Sequence, residues 1–172
     1  MRLYTEFASA ERSSWEELYQ QITSIKSCSS LVDLYDQLDE NLMLLNQHRQ
    51  IVYLNPTCLR MLGLDDPAKA YGCRPGEVMH CCHATEDSNG CGTSWHCRFC
   101  QALRAYMASQ SGRVAVKNCH IQLEYSNQTI HCRIGCITMR VNGQPYTLLQ
   151  IEPIDTSSSS KQDERLQDLR RR

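Results

Sequence analysis

Five cysteines and two histidines fall within twenty residues, CCHATEDSNGCGTSWHCRFC, from Cys81 to Cys100. Cys97 and Cys100 stand three apart at an expected helix start, so their side chains share one face. A helix N-terminus carries partial positive charge and free N–H groups, and Arg98 adds charge nearby. Both features favour thiolate, the form of cysteine that ligates metal. Cys91 lies between Gly90 and Gly92, where the backbone can turn tightly and offer amides. Cys81 returns from the preceding loop. Cys81, Cys91, Cys97 and Cys100 are therefore the expected four-sulfur ligand set. Zinc fits such a set, although structural zinc sites often use two Cys-x-x-C pairs and this chain has one. Single ligands at irregular spacing also suit an iron–sulfur cluster, which is the first expectation, with zinc the alternative. Met79, Trp95 and Phe99 would supply apolar shielding. A cysteine redox switch, a reactive dithiol at CRFC and plain packing are the competing readings.

The remaining cysteines, Cys28, Cys58, Cys73, Cys119, Cys132 and Cys136, read as small buried hydrophobes, with Cys73 the least clear. His48, His120 and His131 read as surface or sheet residues, and Tyr53 and Asn55 as structural. Arg74 and Glu77 read as an internal ion pair fixing the loop, with solvated charges the alternative.

The elements that must position the cluster follow from apolar periodicity. Residues 5–27 read as a helix with a narrow stripe at Trp15, Leu18, Ile22 and Ile25, docked either on a partner helix or on its own domain. LVDLYDQL follows as a short helix. NLMLLNQHRQIVYLN alternates as a hairpin of two strands, and Pro56 opens a helix that Gly63 ends. After the loop DDPAKAYGCRPGE, Ser94 should cap one helix through WHCRFCQALRAYMASQ, with Phe99, Ala102, Leu103 and Tyr106 inward. VAVKNCHIQLEY, QTIHCRIGCITMRV and PYTLLQIEPI read as strands. They turn at Ser126-Asn127 and at Asn142-Gly143, the second a strong hairpin signal. TSSSSKQ reads as a linker and DERLQDLRRR as the start of a further helix. The layout is α+β, an antiparallel five-stranded sheet with helices on one face and flanking terminal helices.

The 172 residues, 41% hydrophobic and 22% charged, can bury a sizeable core without covalent staples. A formal net charge of −1 gives no reason to expect nucleic acid or an anionic membrane as partner. No secretory signal and no run of about 18 apolar residues is present, so a cytoplasmic protein is expected. There thiols stay reduced, and the odd count of 11 cysteines also argues against a disulfide framework. No glycine-rich ATP segment and no Walker-type loop occurs, so a regulatory rather than catalytic role is expected.

The layout, with IVYLNPTCLRMLGL early and a three-strand meander ending in LLQIEPID, resembles a PAS sensor domain over residues 35–156. GCRPGEVMHCCHA and GCGTSWHCRFCQALRA resemble a cysteine-rich PAS subgroup found ahead of bacterial histidine kinases. The matching positions are Arg74, Pro75, Gly76, Glu77, Cys81, His83, Cys91, Gly92, Cys97 and Cys100. His80 stands where glycine is expected, Cys82 is an extra thiol, and Gln101 replaces a more usual glycine. His80, Cys82 and His83 are alternative ligands. The resemblance implies three parts: an N-terminal helical segment at 1–34, the sensor domain at 35–156, and a linker and signalling-helix start at 157–172. It implies redox or gas sensing in a two-component system, dimerisation through the terminal helices, and a histidine kinase or other output partner. A zinc-stabilised interaction module is the alternative.

Overall fold

The computed structural model describes residues 7–154. After an irregular arm, α1 (Trp15–Ser27) begins at a capping box: the Ser14 hydroxyl accepts from the Glu17 amide, and the Glu17 carboxylate accepts from the Ser14 amide. This cap starts the helix ten residues later than periodicity predicts. α2 (Ser29–Asp36) follows directly. Then come β1 (Asn41–Leu45) and β2 (Ile51–Leu54), α3 (Pro56–Met61) and the single turn α4 (Pro75–Val78). α5 (Gln101–Ser109) leads into β3 (Ala115–Gln122), β4 (Thr129–Val141) and β5 (Gln144–Pro153).

The five strands form one antiparallel sheet in the order β2-β1-β5-β4-β3, so the last strand lies at the centre. Asn142 and Gly143 both take positive φ, 49° and 79°, as a two-residue hairpin of this kind requires.

Strand alternation divides the core between two faces. Leu42 and Leu44 of β1, with Val52 and Tyr53, pack against Leu18, Ile22 and Ile25 of α1. Met43 and Leu45 point the other way, toward Cys58, Leu103, Ile134 and Ile151. α1 thus docks on its own sheet, on the face opposite α3, α4 and α5. Trp15 leaves the predicted stripe and is 75% exposed. Asn55 caps α3 and ties the hairpin to α2: its Oδ1 accepts from the Leu42 and Cys58 amides, and its Nδ2 donates to the Tyr35, Leu38 and Glu40 carbonyls. Among the described residues no helix is long and apolar enough to cross a membrane. The expected helix in DERLQDLRRR lies outside the described residues.

Candidate functional site: a cysteine-lined cavity

The expected helix from Trp95 to Gln110 is two elements. A 3₁₀ helix spans Trp95–Phe99, Cys100 is extended (φ −65°, ψ 116°), and α5 starts at Gln101. Cys97 and Cys100 therefore do not sit on successive turns of one helix. Cys100 occupies the N-cap position of α5, and the Ser94 hydroxyl lies 3.4 Å from the Cys97 sulfur instead of capping a helix. Trp95 and Phe99 turn outward, 52% and 61% exposed, and the Arg98 guanidinium lies 3.9 Å from the Trp95 ring centroid. Of the three expected shielding residues Met79 is buried.

Cys81, Cys91, Cys97 and Cys100 all line one cavity of about 360 Å³ on the α5 side of the sheet. Its floor includes Ile134, Leu149 and Ile151, and Met79 and Leu103 close its sides. Cys81 is held by a backbone bridge to Leu123, just beyond β3, and by its amide bonding to the Gly76 carbonyl at 2.8 Å. Gly76 leaves room for two sulfur-bearing residues: a Cβ there would stand 2.7 Å from the Cys91 sulfur and 3.4 Å from the Cys81 Cβ. Cys82 does not line the cavity. His80 does not either. It is exposed, its φ of 53° explains why glycine suits this position, and its ring packs edge-on against Tyr125. His83 and His96 lie at the cavity's border.

The sulfurs are buried thiols. Burial pushes Cys81 up to about 11 and Cys91 up to about 12, and the neighbouring Cys119 thiol together with burial raises Cys100. Cys119 is buried as expected, and it also lines the cavity beside Cys100 and faces Cys132 across the β3–β4 pair. The inward alternation of Cys119 and Ile121 carried that signal. Cys58, Cys132 and Cys136 are fully buried as expected, whereas Cys28 and Cys73 are half-buried.

Two arginines frame the site. Arg74 is fully buried and does not pair with Glu77. Its guanidinium donates to five carbonyls, those of His48, Asn89, Cys91, Ser9 and Glu11, at 2.9–3.2 Å. Burial lowers it to about 10, still cationic at neutral pH. Glu77 instead pairs with Arg12 and accepts from the Arg74 and Cys91 amides. Together these bonds strap the arm before α1 across the cysteine loop, and the Ala8 amide adds a 3.1 Å bond to the Gly92 carbonyl.

Arg49 is the residue that sequence reasoning missed. It sits in the β1–β2 turn at φ 65°, is 8% exposed, and lines the cavity. Its Nη2 donates to the Ser9 carbonyl at 2.7 Å, while its buried Nε has no hydrogen-bond partner among the described residues. Gly92 admits this side chain, since a Cβ there would stand 3.1 Å from Nε.

No protein-family model and no curated protein matches the chain. Solved structures do. The LOV protein of Rhodobacter sphaeroides is 16% identical, with a TM-score of 0.51, covering 86% of this chain and 72% of that one. A PAS domain from a two-component sensor histidine kinase is 10% identical, TM-score 0.48, covering 76% and 99%. The PAS domain of nitrogen regulation protein NR(II) from Vibrio parahaemolyticus is 13% identical, TM-score 0.49, covering 72% and 97%. Identities this low speak to fold alone, and the fold, a five-stranded antiparallel sheet with its helices, is the PAS fold.

Proposed function

We propose that this chain is a signal-sensing PAS module whose cavity binds an iron–sulfur cluster through Cys81, Cys91, Cys97 and Cys100. We further propose that it relays the state of that site to a histidine kinase or similar output partner. Arg49 is the observation that carries the reading. An arginine in a left-handed turn costs backbone strain, and a guanidinium buried with an unbonded Nε costs more. Both costs make sense if the cavity receives an anionic group, and a cluster held by four thiolates is anionic.

The spread of the sulfurs supports a cluster over zinc. Tetrahedral zinc with bonds of about 2.3 Å needs sulfurs about 3.8 Å apart. Among the described residues the one trio of ligand atoms all within 4.8 Å is His83, Glu86 and His96, so no three of the four sulfurs lie that close to one another. A cluster of several atoms spans such a gap without collapse of the cradle.

A bound cluster would supply reversible one-electron chemistry and sensitivity to oxidants. The chain's own residues hold and report it. Gly76 leaves space for the sulfurs, Arg49 supplies countercharge, and Met79 and Leu103 exclude water. Arg74 bonds both the Cys91 carbonyl and the arm carbonyls of Ser9 and Glu11, so a displaced cysteine loop pulls on the arm that leads into α1. The exposed Trp15 and Tyr19 give α1 an outer face for a second copy or an output partner.

The test is metal and sulfide analysis of anaerobically purified protein with an absorbance spectrum. The expected protein is coloured, contains iron and sulfide, and bleaches in air. Cys→Ser at 81, 91, 97 or 100 removes the colour, and Cys82→Ser keeps it. A colourless protein carrying one zinc per chain would sink the redox reading.

A further inference from the structure

At the rim of the cavity, Glu86 stands between two histidines from different segments. Its Oε1 is 2.7 Å from Nδ1 of His83, in the 3₁₀ turn Cys82–Ala84. Its Oε2 is 2.9 Å from Nδ1 of His96, in the 3₁₀ helix Trp95–Phe99. The two imidazole rings stack, with centroids 4.5 Å apart and planes 17° from parallel. Two nitrogens and a carboxylate oxygen thus lie within 4.8 Å of one another.

We propose that His83, Glu86 and His96 form a binding site for one divalent transition-metal ion of the zinc, cobalt or nickel class, separate from the four sulfurs. Imidazole nitrogen with carboxylate oxygen is the donor set of borderline metals. Magnesium and calcium call for nearly all-oxygen shells. Three protein ligands at a partly exposed position leave the remaining coordination to water. In the ion's absence, N–H···O bonds to a single carboxylate hold the same atoms together. A cation entering there displaces a proton from any protonated Nδ1 it ligates. Burial opposes ionisation of Glu86, yet its bonds to the two histidines hold its carboxyl below the usual range. The ion would staple the segment carrying Cys81 to the segment carrying Cys97, closing the cavity's rim.

Cobalt(II) titrated anaerobically into the full chain tests the site, because its spectrum separates the donor sets. Thiolate ligation gives intense near-ultraviolet charge transfer, and nitrogen–oxygen ligation gives weak visible bands. Beside any cobalt taken by the four sulfurs, the wild-type chain should bind one cobalt with the nitrogen–oxygen bands. Glu86→Gln and His96→Asn should each weaken that binding at least about tenfold with unchanged circular dichroism. His120→Asn, at the histidine pair of the β3–β4 edge, should leave it intact. Absence of the nitrogen–oxygen bands, or affinity unchanged in both variants, overturns the proposal. Nitrogen–oxygen bands in a chain that shows neither thiolate charge transfer nor a bound cluster would count against the cluster reading and leave this site standing.

Discussion

At the scale of single residues, Arg49 combines two costs that a sequence tuned for stability alone would avoid. Its backbone favours glycine and its side chain carries an unbonded buried Nε. Under the proposed cluster binding, Arg49→Gly should therefore affect the metal-free and the loaded protein unequally. Unfolding of metal-free protein should change by no more than about 1 kcal/mol, because relief of strain and desolvation offsets the lost packing. Retention of the proposed cluster's colour in air should fall sharply, since its proposed countercharge is gone. Equal effects on both forms would remove Arg49 from the site. The grouping of the four cysteines at one cavity was legible in the sequence because they cluster within twenty residues. Arg49 was not, because a lone arginine in a polar turn, NQHRQ, looks like an ordinary solvated charge. Only the fold brings that turn against Gly92.

At the scale of elements, the strands were legible because alternation and Asn-Gly are local signals, and β1 to β5 fall where periodicity sets them. The break at Cys100 was not legible. WHCRFCQALRAYMASQ has no proline or glycine to stop a helix, and the interruption comes from placing Cys97 and Cys100 toward one cavity from a 3₁₀ helix and an N-cap. The Arg74–Glu77 pair was misread because spacing of three on one turn looks like an ion pair, whereas the arm, distant in sequence, supplies Arg12 as the true partner. Asn55 shows how much one cap can hold. Asn55→Ala removes five hydrogen bonds joining α2, β1 and α3, and should lower stability by about 2–4 kcal/mol. A urea melt with an unchanged slope and a lower midpoint checks this.

At the scale of the whole molecule, α1 and the cysteine loop lie on opposite faces of the sheet but share one strap. The arm leaves the loop at Ala8, passes Arg74 and Arg12, and enters α1 at Ser14. Arg74→Lys keeps the charge but cannot reach five carbonyls with one ammonium group. It should cost at least about 2 kcal/mol, since buried carbonyls are left without donors. Hydrogen exchange locates the loss: the Ala8 amide should exchange faster while the α1 amides, held by Leu18, Ile22 and Ile25, stay protected. Equal loss of protection in arm and helix would mean that the two unfold together and that the strap is not a separate link.

The central position of β5 also sets an order in time. β1 pairs with β5 from Asn41 opposite Ile151 to Leu45 opposite Thr147, so β1 lacks one neighbour until about a hundred further residues have left the ribosome. Closing so long a loop is slow, whereas β3, β4 and β5 pair through short connections. Leu149 and Ile151 belong to the cavity floor, so the pocket does not exist until β5 has been made and placed. The cysteines near its middle are synthesised first and stay accessible until the strand that encloses them arrives. Any group the cavity receives can be enclosed only after β5 is in place.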